Sequence, residues 1–290
     1  MVKPAPYGPF PCVPLPKRPR IQWPGGAQIA VWVVVNLEFF ALDRPIPGGN
    51  GKVPDVVAWS KRDYGNRVGV YRLMESMARA KMPGTANVNA EMSEFHPEVL
   101  VEAKRLGWEF MAHGGSNSRP MHHLTPEEER REIHESIATV GRAWGQKPKG
   151  WMGPGMHETW QTLDVLAEEK MLYNADWIND DQPYLMHING HTMVQVPYGE
   201  QPHDKGAYER LNYKPWEFER MVRDQFDVLY REGEKTGKVL IVALHPFVSG
   251  VPHRLQAVDN IFDYINSKPK VWKATGAEIA EHFLNSGATF

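Results

Sequence analysis

From Ala27 onward, short apolar or β-branched runs alternate with longer stretches whose apolar residues recur every three or four positions. Short apolar runs predict strands, 3.6-residue periodicity predicts helices, and their alternation predicts βα units around a parallel sheet. The pattern predicts seven strands, at Ala30–Glu38, Gly84–Asn89, Trp108–His113, Gly150–Gly153, Leu172–Trp177, Met193–Pro197 and Lys238–His245. Helical periodicity covers Gly65–Lys81, Pro97–Leu106, Pro126–Trp144, Glu158–Lys170, Pro215–Lys235, Leu255–Asn266 and Thr275–Leu284. The string Thr125-Pro126-Glu127-Glu128 is a helix start, with a capping hydroxyl, a first-turn proline and early carboxylates.

No repeat or linker divides the chain, so the reading is a proline-rich extended leader over 1–26 and one α/β barrel domain over 27–290. Eight prolines from Pro4 to Pro24 keep the leader from being helical. The Pro/Gly-rich segment Ala41–Lys61 reads as structureless, either a lid or a plain surface insertion.

Charge and composition narrow the partners. A formal net charge of −2 offers no footprint for nucleic acid or an anionic membrane, so a small-molecule substrate is expected. The one cysteine, Cys12, rules out an internal disulfide. Without an export-type leader or an apolar run long enough to span a bilayer, a cytoplasmic location is expected.

In parallel βα architectures reactive groups gather at the carboxyl ends of the strands. Four predicted strands deliver ionisable groups there: Glu38, His113, the Asp176-to-Asp181 string, and His245. Glu38 lies between an apolar strand and Phe39-Phe40, so desolvation is expected to raise its pKa and suit it to act as a general base. The alternative is a structural acid paired with an arginine. His113 and His245 read either as catalysts or as core histidines, and Asp180 and Asp181 either as orienting acids or as an ordinary turn. Trp151 and Tyr184 are candidates for lining a pocket. No Gly-x-Ser-x-Gly elbow, phosphate loop or dinucleotide fingerprint is present.

These strand ends resemble the polysaccharide deacetylase superfamily from roughly Gln28 to the C-terminus. The resemblance rests on Asn36-Leu37-Glu38, His113-Gly114-Gly115-Ser116-Asn117, Lys149-Gly150-Trp151-Met152-Gly153-Pro154, Asn179-Asp180-Asp181-Gln182-Pro183-Tyr184, and Leu244-His245-Pro246 with Gly250-Val251-Pro252-His253-Arg254. It implies a deformed (β/α) barrel of seven or eight parallel strands and hydrolysis of amide-type C–N bonds. The last two motifs are similar to the allantoinase-like, small-molecule branch, and a homodimer or homotetramer is implied as well.

Metal-dependent members carry two successive aspartates and a pair of histidines four residues apart. Here Glu38 and Phe39 stand at the first pair, and Asn117 replaces the second histidine. One imidazole and a phenyl ring cannot hold zinc, which needs about three protein donors. The resemblance therefore implies metal-free chemistry. Glu38 acts as base, His113 and the backbone near Gly114 hold the oxyanion, and His245 is the acid, assisted by Asp181 or Asp180. Asn36, Asn117, Trp151, Asp180, Tyr184 and Arg254 are the expected substrate contacts. The third motif lacks an arginine ahead of Pro154, which puts allantoin itself in doubt as substrate. Two rival readings stay open. One is a metal-dependent N-acetyl-sugar deacetylase whose zinc, or another divalent metal, sits on Glu38, His113 and His122 or His123. The other is a barrel that kept its fold and lost its chemistry.

Overall fold

The structure is a computed structural model that describes residues 6–199 and 201–290. Nine strands form one sheet: β1 (Ile29–Leu37), β2 (Gly84–Val88), β3 (Glu109–Ala112), β4 (Gly150–Trp151), β5 (Tyr173–Asn174), β6 (Tyr184–Ile188), β7 (His191–Gln195), β8 (Lys238–Leu244) and β9 (Val271–Lys273). Their spatial order is β6-β7-β5-β4-β3-β2-β1-β8, with β9 paired to the first residues of β1. The sheet curls into a half-barrel with helices packed outside it. One parallel bridge, His203 to Ala243, touches β8 on its far side.

β1 is buried along its whole length, as expected of a strand covered on both faces. Its side chains alternate, with Ala30, Trp32 and Val34 in the core inside the curl and Val31, Val33 and Val35 in the core under the helices. β8 alternates likewise, with Ile241 and Ala243 inside and Leu240 and Val242 outside, while β3 turns Met111 in and Phe110 out. Continuing that parity places Asn36, Glu38, His113 and His245 on the inner side. The register sets Glu38 level with His113, since Leu37 pairs with Val88 and Val88 with Ala112, and sets His245 opposite Asn36, since Val35 pairs with Leu244.

Two strands escape the seven-strand reading. β6 and β7 form an antiparallel hairpin around Asn189 and Gly190, with φ of +50° and +78°. Asn-Gly between apolar runs is a strong hairpin signal, and here it was readable in the sequence. β9 is three residues long, too short to show a period. The expected loop 41–61 ends earlier, because a helix starts at Val56 with the Asp55 carboxylate accepting the Ala58 N–H. The Arg62 guanidinium holds the shortened loop by stacking over Phe40 at 4.8 Å and donating to the Pro47 carbonyl at 2.6 Å. The helix Pro126–Trp144 begins with the expected capping box between Thr125 and Glu128.

The described part of the N-terminal segment runs along the wall. Ile21 and Trp23 are buried, Phe10 packs on Trp177 and Tyr184, and the Arg18 guanidinium pairs with the Asp180 carboxylate at 2.6 Å. Pro4 lies outside the described residues.

At the N-terminal end of the sheet, buried Glu109 accepts hydrogen bonds from the Thr85 and Tyr173 hydroxyls, both at 2.9 Å, and from the Ala277 N–H at 3.2 Å. Both its carboxylate oxygens are used, which ties the helix Gly276–Asn285 to β2, β3 and β5.

Candidate active site

At the opposite end, the strands open into a cavity of about 560 Å³ lined by Asn36, Glu38, His113, Asn117, Tyr198, His203, Lys205 and His245, with Met152, Met156 and Ile178 as its apolar wall. Its centre is Glu38. One carboxylate oxygen, Oε1, lies 3.8 Å from His113 Nε2 and 3.5 Å from His245 Nε2. The other, Oε2, is buried and has no hydrogen-bond partner, as is also true of His113 Nε2 and Asn117 Oδ1. Unpaired buried polar atoms are costly in a fold, and three of them along one cavity mark a place built for water or substrate.

Each histidine is fixed from behind. His113 Nδ1 lies 2.7 Å from the Met152 carbonyl, which can only accept, so Nδ1 carries a proton and Nε2 faces the cavity. His245 Nδ1 donates to Asp204 Oδ1 at 2.7 Å, and Asp204 Oδ2 accepts the His245 backbone N–H and the Ser249 hydroxyl. Asp204 is thus the acid that orients His245. Burial alone would favour neutral His245, but the carboxylates of Asp204 and Glu38 outweigh it and raise the imidazole to about 9.

Glu38 departs from its expected pKa. Burial does push it up, but His245, His113 and Lys205 together hold it well below the usual carboxylate range. The sequence showed the apolar strand but not the cations folded around its end. His203 goes the other way: burial and the His245 charge lower it to about 4, leaving a neutral ring. Next to this array, half-buried Glu158 and buried Asp176 form a second acidic pair. Burial raises both, Glu158 far above its usual value and Asp176 to about 6, and Asp176 accepts the Gly153 N–H at 2.8 Å.

Of the residues singled out from sequence, Glu38, His113, His245, Asn36 and Asn117 meet at this cavity. The others do not. The Asp181 carbonyl accepts the Val239 N–H, at the start of β8, whereas His245 follows the strand's end, roughly 20 Å away at about 3.3 Å per residue. Asp181 therefore cannot assist His245, and Asp180 is committed to Arg18. Trp151 is fully enclosed in the inner core. The Tyr184 hydroxyl donates to Asn179 Oδ1, with its ring against Phe10. Arg254 lies over the Tyr208 ring at 4.2 Å and donates to the Val248 carbonyl. These assignments followed motif strings without knowing which end of the sheet each loop reaches. Asp204 was missed because it sits outside any strand pattern; only the His203–Ala243 bridge sets it beside His245.

Among the described residues, the cavity lacks the full set of metal donors found in metal-dependent deacetylases. At the first motif, Phe39 stacks on Phe95 at 4.4 Å and offers no donor. His122 and His123 form a separate exposed group with His157, so they do not complete a site with Glu38 and His113. Among the described residues, one set of ligand atoms converges within 4.8 Å: His203, Asp204 and His245. Two ligands of a tetrahedral zinc, with bonds of about 2.0–2.1 Å, stand about 3.3 Å apart. Asp204 Oδ1 and His245 Nδ1 are 2.7 Å apart, a hydrogen bond with a proton between them. His203 Nδ1 in turn accepts the Gly206 N–H at 3.3 Å. Arranged in this way, the donors do not fit a resident ion.

Known proteins share this arrangement of chain. Residues 51–173 match the family model described as polysaccharide deacetylase. A Schizosaccharomyces pombe protein bearing the name polysaccharide deacetylase is 26% identical over 294 residues, covering 89% of this chain and 91% of its own. A crystal structure described as a polysaccharide deacetylase from Pseudomonas aeruginosa PAO1 superposes with a TM-score of 0.83 at 28% identity, over 93% of this chain and 95% of that one. The PuuE allantoinase superposes with a TM-score of 0.84 at 27% identity, over 93% and 94% of the two chains. A polysaccharide deacetylase domain match, relatives matched over nearly their whole length and a shared curled sheet make this chain similar to the polysaccharide deacetylases, with an allantoinase among its structural neighbours.

Proposed function

We propose that the chain hydrolyses a C–N bond in a small molecule, a cyclic ureide, cyclic imide or N-acyl amide, using water activated by Glu38 and no resident metal. The observation that carries this reading is the free, buried Glu38 Oε2 facing a cavity beside an imidazolium that Asp204 holds protonated. A cavity of about 560 Å³ falls in the range of small-molecule sites and is lined like one, with an apolar wall and a few converging polar groups.

In this mechanism water binds to Glu38 Oε2 and its oxygen attacks the carbonyl carbon, passing a proton to Glu38. The tetrahedral oxyanion then collapses, the C–N bond breaks, and His245 Nε2 gives its proton to the departing nitrogen. A carboxylate of low proton affinity is a weak base at rest. Here, however, Glu38 gains a proton as His245 loses one, so a buried ion pair becomes a neutral pair, the direction desolvation favours. Lys205, at the cavity wall, helps keep Glu38 ionised before water binds.

The test is elemental analysis of protein purified without a histidine tag, with a panel of cyclic ureides, imides and N-acyl compounds assayed with and without chelator. Turnover that resists chelator, with metal below about a tenth of an equivalent, is expected. Stoichiometric zinc and chelator-sensitive turnover would overturn the metal-free mechanism, and a panel with no substrate would overturn the reaction class.

A further inference from the structure

The steps above name no neutral donor for the oxyanion. His245 must save its proton for the leaving nitrogen. His113 commits its Nδ1 proton to the Met152 carbonyl. Asn36, expected to touch substrate, is fully engaged: its Nδ2 donates to the Tyr198 hydroxyl at 3.0 Å and to the Leu244 carbonyl at 3.3 Å, and its Oδ1 accepts from Asn87 Nδ2 at 2.9 Å. The Leu244 carbonyl can only accept, so the orientation of the Asn36 amide is fixed.

That orientation determines what Tyr198 can do. Its oxygen already accepts a hydrogen bond from Asn36, so its own proton must point elsewhere, and among the described residues no acceptor takes it. Tyr198 is 1% exposed yet lines the cavity, its ring held edge-on against Trp32 and beside His203. We infer that the Tyr198 hydroxyl is a further catalytic donor, aimed into the cavity by Asn36 and Asn87 to bind the carbonyl oxygen of the substrate and the oxyanion it becomes. Burial raises the phenol far above its ordinary value, so the proton stays in place throughout the working pH range. Asn36 and Asn87 are positioning residues, acting through Tyr198. This assignment rests on the hydrolytic reading above.

The test compares wild type with Tyr198→Phe on the best substrate of the panel and on a tetrahedral phosphonamidate analogue. Loss of one oxyanion donor should lower kcat by about 100-fold or more. KM should stay within about threefold, the mark of an interaction made in the transition state. The alkaline limb set by His245 should not move, and analogue affinity should fall with kcat. A kcat within about tenfold of wild type, or an effect confined to KM, would overturn the assignment. If Tyr198→Phe does not fold, Asn36→Leu, which removes the aiming amide, should lower kcat about tenfold at unchanged KM, and unchanged kcat overturns the assignment. If wild type hydrolyses nothing on the panel, the hydrolytic reading fails by itself. Analogue binding still decides Tyr198: equal affinity for wild type and the Phe variant rejects it, and weakened binding supports it.

Discussion

Two buried glutamates sit at opposite ends of the same sheet and do opposite things. Glu109, at the start of β3, has every oxygen satisfied by Thr85, Tyr173 and Ala277 and is raised by burial. Glu38, just past the end of β1, faces two imidazoles, is held low, and keeps one oxygen unpaired toward a cavity. Their exposures are alike, at 5% and 6%, so burial does not separate a structural acid from a reactive one. Unmet hydrogen-bonding capacity beside a cavity does.

Exchanging the carboxylates in turn is the sharpest way to break the comparison. Glu38→Gln should lower kcat by about 1,000-fold or more, about 4 kcal/mol of barrier, while the thermal midpoint stays near that of wild type. Activity within tenfold would remove Glu38 from the chemistry. Glu109→Ala should do the reverse, costing about 3 kcal/mol in denaturant unfolding by stranding buried hydroxyls and an N–H, with kcat per folded molecule retained. A large kcat loss there would mean that the two ends are not separable.

A third substitution tests the charges around Glu38. His245 is raised, so its protonated form, and the stability it lends, is fully present below the ordinary imidazole value and is lost as pH rises through about 9. Both kcat and stability should therefore decline above pH 9. Asp204→Asn should move that limb toward neutrality and lower kcat about 100-fold at pH 8. An unmoved limb would assign it to another group. Glu38 has the opposite sign: its contribution is present above the ordinary carboxylate value and is lost on acidification. The smallest effect is expected at Asp181→Asn, at the other end of β8. It should change stability by less than about 0.5 kcal/mol and leave kcat alone, since its side chain is an exposed surface acid 3.8 Å from Lys238. A kcat loss on this variant would restore it to the site.

Much of this arrangement was legible beforehand. The helix Pro126–Trp144, with its capping box, matches the pattern from end to end, because capping and periodicity are local signals. Glu38, His113 and His245 could be singled out because in-register parallel strands place their ends side by side. The motif strings at Asp180-Asp181 and Arg254 pointed to the same cavity, but their loops lead elsewhere, to Arg18 and to Tyr208. The Asn189-Gly190 hairpin is likewise a local signal, carried by two adjacent residues of positive φ.

By itself the sequence determined the alternating βα order and the placing of Glu38, His113 and His245 at strand ends, which follow from local periodicity, while the resemblance to metal-dependent deacetylases implied a missing metal donor at Phe39. Only the tertiary structure decided that Asp204, rather than Asp181, stands behind His245, and that Glu38 is held ionised rather than raised. It likewise decided that Asn36 turns toward Tyr198 and not toward substrate. Such contacts join residues 41 and 162 positions apart, and no local pattern encodes which loop closes over which strand end.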